Sequence, residues 1–262
     1  MTLMDSSALS PAVYFIGAGP GDPELLTVKA YKILQKADVI VFADSLVPKQ
    51  ILEDTPKDAE LIPTSSITLE EIIPLMIDRV RRGLAVVRLQ SGDLSLYSAI
   101  QEQIELLTAA DIPFQLIPGI SAFQGLAAKL ALELTIPELV QTIILTRVEG
   151  KASHIPESEE LASLAAHKAS LCLYLAARHV DKAQEKLLKY YPPEQQVAVC
   201  FRLGWPDEKI WVVPLSEMAQ LTHRENLTRT TLYLISPALN RITGTRSQLY
   251  HPQHSHLFRP HS

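Results

Sequence analysis

Short runs of β-branched and other apolar residues alternate, along most of the chain, with stretches whose apolar positions recur at intervals of three and four. The first kind of run predicts buried strands, and the second predicts amphipathic helices packed against them. In the first half, strands are expected at residues 13–16, 39–42, 85–89 and 114–117, with helices near 25–37, 69–82, 94–107 and 121–132. The second half continues with strands at 142–146, 170–176, 196–203, 209–213 and 230–236, and helices near 157–167, 180–190 and 215–221. This alternation predicts an α/β fold, and the closely spaced strands near the end predict a mixed second sheet.

Residues 133–138 contain Pro137 and precede a new strand, so the chain can change domains there without breaking an element. The expected organisation is an αβα domain over residues 1–135, a second over 136–245 and an irregular tail over 246–262. A length of 262 residues suits two medium domains better than one core. No repeat at a fixed period and no low-complexity tract interrupts the pattern.

Composition narrows the classes of function. Hydrophobic residues make up 47% and charged residues 20%, the balance of a folded globular protein. No apolar run approaches the roughly 20 residues needed to cross a bilayer, and the N-terminus lacks the basic and apolar regions of a secretory signal. A cytoplasmic protein without membrane partners is expected. The net charge of −5 argues against general nucleic-acid binding, which depends on neutralising phosphates. Cys172 and Cys200 fall inside apolar strand-like runs and read as small hydrophobes.

The first strand leads into Gly17-Ala-Gly-Pro-Gly-Asp-Pro-Glu-Leu-Leu-Thr27, a turn in which backbone can approach a ligand without a Cβ in the way. A dinucleotide-binding turn would place its third glycine at position 22, but Asp22 stands there and Gly21 comes one residue early. That displacement disfavours a nicotinamide-dependent oxidoreductase in which Asp44 would bind the ribose. By itself the turn is also compatible with a tight strand-to-helix connection that binds nothing.

Three further stretches change that reading. The first turn with its flanks, residues 13–30, is followed by Ala37-Asp-Val-Ile-Val-Phe-Ala-Asp-Ser-Leu-Val47, then Arg88-Leu-Gln-Ser-Gly-Asp-Leu-Ser-Leu-Tyr97, then Pro118-Gly-Ile-Ser-Ala-Phe123. In this order they resemble the tetrapyrrole methylases, and the resemblance covers nearly the whole chain. Later motifs, Leu145-Thr-Arg-Val-Glu-Gly150, Phe201-Arg-Leu-Gly-Trp-Pro-Asp-Glu208 and the tail from Leu249 to Arg259, resemble the branch of that family acting on carbon 11 of precorrin-4 or its cobalt-containing counterpart. The resemblance implies two αβα domains with S-adenosylmethionine in the cleft between them, in a homodimer.

It also implies cofactor-binding positions at Pro20, Ser91, Gly92, Asp93, Leu96, Ser121, Ala122, Leu175, Leu203, Thr230 and Thr231. Glycine and small-residue turns offer backbone groups to a zwitterion, while Asp93 accepts from its donors. Apolar Leu96, Leu175 and Leu203 suit the adenine. Asp93 is equally suited to capping a following helix. Three positions depart from the family pattern: Leu94 replaces a proline, Ser98 replaces a glycine, and Leu203 is bulkier than the usual residue.

A precorrin carries many carboxylates, so a basic rim is required on this acidic chain. Arg147, Lys151, Arg178 and Arg202 are the candidates, with His179 beside Arg178. Asp44 and Glu149 are weak candidates for orienting pyrrole nitrogens or relaying a proton. His251, His254, His256 and His261 have spacings poorly suited to a preformed metal site, and no protein-bound metal is expected. The rival readings are methylation at another macrocycle position and a non-catalytic tetrapyrrole-binding protein.

Overall fold

The computed structural model describes residues 8–149 and 154–240. They form two compact units, each built on a five-stranded sheet. The first runs to Gly125 and also takes in Arg202–Glu208; the second holds Leu126–Phe201 and the chain from Lys209 onward. The division thus falls between Gly125 and Leu126, ahead of the stretch at 133–138 where the sequence suggested it.

In the first unit the strands are β1 (Val13–Gly17), β2 (Val39–Phe42), β3 (Glu60–Pro63), β4 (Val86–Gln90) and β5 (Phe114–Ile117), in the order β3-β2-β4-β1-β5 and all parallel. The three central strands are buried throughout, which is why their sequences read as continuous apolar runs. Helix α1 (Val28–Leu34) covers one face with Ala30, Ile33 and Leu34 against Ile16, Ile40 and Val87. Helices α2 (Leu69–Arg81) and α3 (Ile100–Ala109) cover the other, where Ile72, Ile73, Met76 and Leu107 meet Val13, Phe15, Val39 and Val86. The result is the expected αβα sandwich.

Because the chain leaves β1 over one face and β4 over the other, the two neighbouring strands define a switch point at their carboxyl ends. Ligands of open parallel sheets bind in such crevices.

Two expectations need correction. The helix expected from residue 94 begins only at Ile100: Tyr97 and Ala99 are left-handed (φ 54° and 52°), and Leu94 turns into the core at 5% exposure. Strand β3 was not anticipated. It is an exposed four-residue edge ending in Pro63, whose missing N–H costs nothing at an edge.

The second unit contains β6 (Ile143–Arg147), β7 (Ser170–Tyr174), β8 (Gln196–Phe201), β9 (Lys209–Pro214) and β10 (Thr231–Ile235) in the order β6-β7-β10-β8-β9. Only β6 and β7 are parallel, so the sheet is mixed as expected. Helix α4 (Ala122–Lys129) spans the division between the units. Helices α5 (Leu161–Ala165), α6 (Val180–Leu187) and α7 (Met218–Arg224) pack on the face carrying Leu171, Leu173, Val199 and Tyr233. The helix expected over 157–167 is the short α5 preceded by a 3-10 turn. Cys172 and Cys200 are both buried, and burial pushes the Cys172 thiol up to about 12.

No helix among the described residues is long and apolar enough to cross a membrane. The tail over 246–262, with its four histidines, lies outside the described residues.

Met76 is fully buried between α2 and the sheet, so Met76→Ala should cost about 2–5 kcal/mol. Urea unfolding followed by circular dichroism measures this, and a loss near zero would contradict the packing described.

Candidate functional site

At the switch point, three loops of the first unit meet through backbone alone. Ala18 N donates to Gln90 O at 2.7 Å, and Gly19 and Gly92 exchange both of their backbone hydrogen bonds at 2.7 and 3.1 Å. The turn after β5 closes on the same point. A Cβ on Gly119 would lie 2.2 Å from Gly92 O and 2.6 Å from Gly17 O, and one on Gly17 would lie 2.6 Å from Gly92 O. Gly17 and Gly119 are therefore glycines for want of space.

Gly92 is glycine for a different reason. Its φ is +67°, and a Cβ there would find only Ser121 Cα within 4 Å, at 3.9 Å. The junction packs tightly underneath and leaves Gly92 facing open space, the form of a backbone cradle for a small ligand.

Asp93 fastens the cradle. Its Oδ2 accepts from Gly119 N at 2.9 Å, and its Oδ1 accepts from Ser95 N at 3.0 Å and from Ser95 Oγ. Burial works against ionisation, but these donors outweigh it and hold the carboxyl below the ordinary aspartate range. Asp93 thus ties the loop after β4 to the turn after β5 instead of capping the helix that follows.

The departures at 94 and 98 have local explanations. Leu94 fills the core beneath the loop, and Ser98 Oγ donates to Leu94 O. Ser98 is not in the left-handed region, so glycine is not needed there; Tyr97 and Ala99 carry the positive φ values instead.

Pro20 and Ser121 are buried, while Leu96 and Ala122 are partly exposed beside this cradle in sequence. Ser121 and Ala122 begin α4, whose N-terminal end favours negative charge. Leu203 is 5% exposed within the same unit. A Cβ on Gly125 would come 2.8 Å from Leu203 Cδ2 and 3.4 Å from Pro20 Cγ, so Gly125 makes room for the bulky leucine. No local pattern around either residue signals that pairing.

In the second unit one end of the sheet gathers the remaining expected positions. β6 and β7 end there in Arg147 and Tyr174, β10 begins there, and β8 pairs its final Phe201 with Thr231. Leu175 follows β7 with φ 54° and 64% exposure, and Thr230 precedes β10 with φ 53°. A left-handed, exposed leucine stores strain without burying its side chain, which points to a role outside folding.

The charged candidates divide. Arg147 donates to Val148 O at 3.4 Å and to His154 O at 3.3 Å, while Arg178 is exposed in a 3-10 turn after β7. Arg202 has partners inside its own turn. Its guanidinium pairs with Asp207 at 2.6 Å and stacks 4.8 Å over the Trp205 ring, so it is engaged within its own turn. Lys151 lies outside the described residues.

Asp44 accepts from Ser65 N at 2.8 Å and Ser65 Oγ at 2.7 Å, joining the loops after β2 and β3. The Ser65 hydroxyl is the main reason its carboxyl is lowered, away from the neutral range a general base needs. Glu149 is exposed and paired with His154 at 2.9 Å. Among the described residues, no group of three or more His, Cys, Asp and Glu is placed to hold a metal ion.

Two α/β units, one on a parallel and one on a mixed five-stranded sheet, define the fold class. The chain belongs to the tetrapyrrole (corrin/porphyrin) methylases, whose family model matches residues 12–219. It is 42% identical over 248 residues to the precorrin-4 C(11)-methyltransferase of Pseudomonas aeruginosa, covering 95% of this chain and 98% of that one. It is 40% identical to the cobalt-precorrin-4 C(11)-methyltransferase of Methanocaldococcus jannaschii, covering 94% and 95%. The solved structure of a cobalt precorrin-4 methyltransferase superposes with a TM-score of 0.84 at 38% identity, over 87% of this chain and 96% of that one. A uroporphyrin-III C-methyltransferase from Thermus thermophilus, solved with S-adenosylhomocysteine, gives a TM-score of 0.73 at 25% identity, over 88% and 100%.

Two expectations follow from the junction. Gly119→Ala should cost about 3 kcal/mol or more, because its Cβ meets only backbone. Gly83→Ala, with φ +86° and open space, should cost only about 1–2 kcal/mol. Equal losses in chemical denaturation would contradict the crowding argument.

Asp93 gives a pH signature. Its carboxyl titrates lower folded than unfolded, so the stability it contributes is complete above the unfolded value of about 3.9. That contribution fades as the pH falls through the lower folded value. Asp93→Asn should remove this part of the acid dependence in urea titrations between neutral and acid pH, and an unchanged profile would refute the assignment.

Proposed function

We propose that this chain methylates carbon 11 of precorrin-4 or cobalt-precorrin-4, using S-adenosylmethionine, in the building of the corrin ring. The observation that carries this reading is the near-full-length similarity, 42% over 95% of the chain, to an enzyme named for that reaction. Within this reading it works in the cytoplasm as a homodimer, as the family resemblance implies, without a bound metal.

S-adenosylmethionine supplies a methyl group on a sulfonium, whose leaving group is a neutral thioether, so no acid is needed to expel it. The chain's own part is positioning. Gly92 offers open backbone, Asp93 holds that backbone in place, and the Ser121-Ala122 end of α4 supplies partial positive charge for a carboxylate. Pro20, Ser91, Leu96 and Leu203 belong to the same reading, and both Pro20 and Leu203 border Gly125. The family resemblance also assigns Leu175, Thr230 and Thr231 to the cofactor.

For the polyanionic macrocycle, Arg147 is the first choice and Arg178 and Lys151 follow. No residue is assigned as a base: the depressed carboxyl of Asp44 does not suit the task at neutral pH.

Incubation with S-adenosylmethionine carrying a 13C methyl and each form of precorrin-4 should place the label on carbon 11 by NMR. Transfer to another carbon, or none, rejects the reading. In the same assay, Arg147→Ala should raise the tetrapyrrole KM by about tenfold or more, the worth of a lost charge-assisted hydrogen bond. Arg147→Lys should recover part of this, because lysine lacks the planar fork. Equal KM in all three proteins removes Arg147 from the rim.

A further inference from the structure

The glycine-rich turn after β1 is held by a segment distant in sequence. Arg202–Glu208 belongs to the first compact unit and lies against residues 20–22. A Cβ on Gly204 would meet Asp22 N at 2.4 Å, and one on Gly21 would meet Trp205 Cδ1 at 2.6 Å and Leu203 O at 2.8 Å. The two backbones touch, and the side chains of Leu203 and Pro20 both border Gly125.

One side chain joins them. Gln50, in the 3-10 turn Lys49–Leu52, donates from Nε2 to Gly21 O at 2.7 Å and to Gly204 O at 2.8 Å. A carboxamide nitrogen has two hydrogens, and both are used. The segment is further stiffened by Gly204 N donating to Glu208 at 2.6 Å and by the Arg202–Asp207 pair. Its seating carries a cost as well, since the Trp205 indole N–H is buried without a hydrogen-bond partner among the described residues.

We propose that Gln50 is a positioning residue for cofactor binding: its two hydrogen bonds latch Arg202–Glu208 onto the glycine-rich turn and so preset Pro20 and Leu203 for the ligand. This rests on the proposal that the turn holds S-adenosylmethionine. The latch acts through donors, not through bulk. Glutamate at position 50 has nearly the same shape but sets a carboxylate against two carbonyl oxygens, whereas lysine restores donors on a flexible stem.

The test uses full-length protein carrying Trp211→Phe, which leaves Trp205 as the single tryptophan. Gln50→Glu and Gln50→Lys are compared with the parent by acrylamide quenching of Trp205 and by calorimetric titration with S-adenosylhomocysteine, with circular dichroism verifying the fold. Gln50→Glu should increase quenching and weaken the ligand by about tenfold or more, the scale of two hydrogen bonds, while Gln50→Lys stays within about threefold of the parent. A thermal midpoint that falls in Gln50→Glu while quenching and affinity stay at parental values overturns the proposal, as does equal weakening in both variants. Failure of the parent itself to bind S-adenosylhomocysteine would instead refute the cofactor reading, and the quenching comparison then still decides whether the latch exists.

Discussion

The first unit depends on the close approach of three backbones at the carboxyl ends of β1, β4 and β5. Gly17, Gly92 and Gly119 sit where Cβ atoms would collide or where φ is left-handed, and the loops they belong to bond directly to one another. Side chains then serve the junction. Asp93 bridges from the middle loop to Gly119 N, Leu94 anchors the same loop in the core, and Gly125 clears space for Leu203 beside Pro20. The loop that carries the candidate ligand contacts is therefore fixed by its surroundings before any ligand arrives, and rigid placement of this kind is what methyl transfer between two bound molecules requires.

Much of this was legible in the chain because the responsible forces are local. Continuous apolar runs marked β1, β2 and β4 as central strands, and the spacing of Ile72, Ile73, Met76 and Val80 marked α2. The glycines of the first turn announced a close backbone approach. What escaped were features decided by tertiary context. Strand β3 is too short and too exposed to give a pattern, and the start of α3 was set by Tyr97 and Ala99 adopting left-handed backbone that no propensity favours. Gln50 and Gly125 act on partners more than 70 residues away, and nothing in their own neighbourhoods signals it.

The charged candidates illustrate the same limit. Arg202 looked like a rim cation because charge alone does not show that Asp207 and Trp205, a few residues further on, would engage it. Asp44 lies at a strand end where a proton relay is conceivable, yet Ser65, brought in by the unanticipated β3, stabilises its ionised form. Arg147 remains the strongest of the set, at the end of β6 on the same sheet end as Leu175 and Thr231. Ordered motifs thus named the candidate positions, while what each can do depends on which hydrogen bonds the fold has already claimed.

The central claim is that the backbone junction is a cofactor cradle. It is tested most directly by titrating 15N-labelled protein with S-adenosylhomocysteine and mapping amide shifts. The account predicts that, within the first unit, the largest changes fall on Gly19, Ser91, Gly92, Asp93, Leu96, Ser121 and Ala122. Saturable binding with those amides unmoved, and changes concentrated elsewhere on the unit, would contradict it.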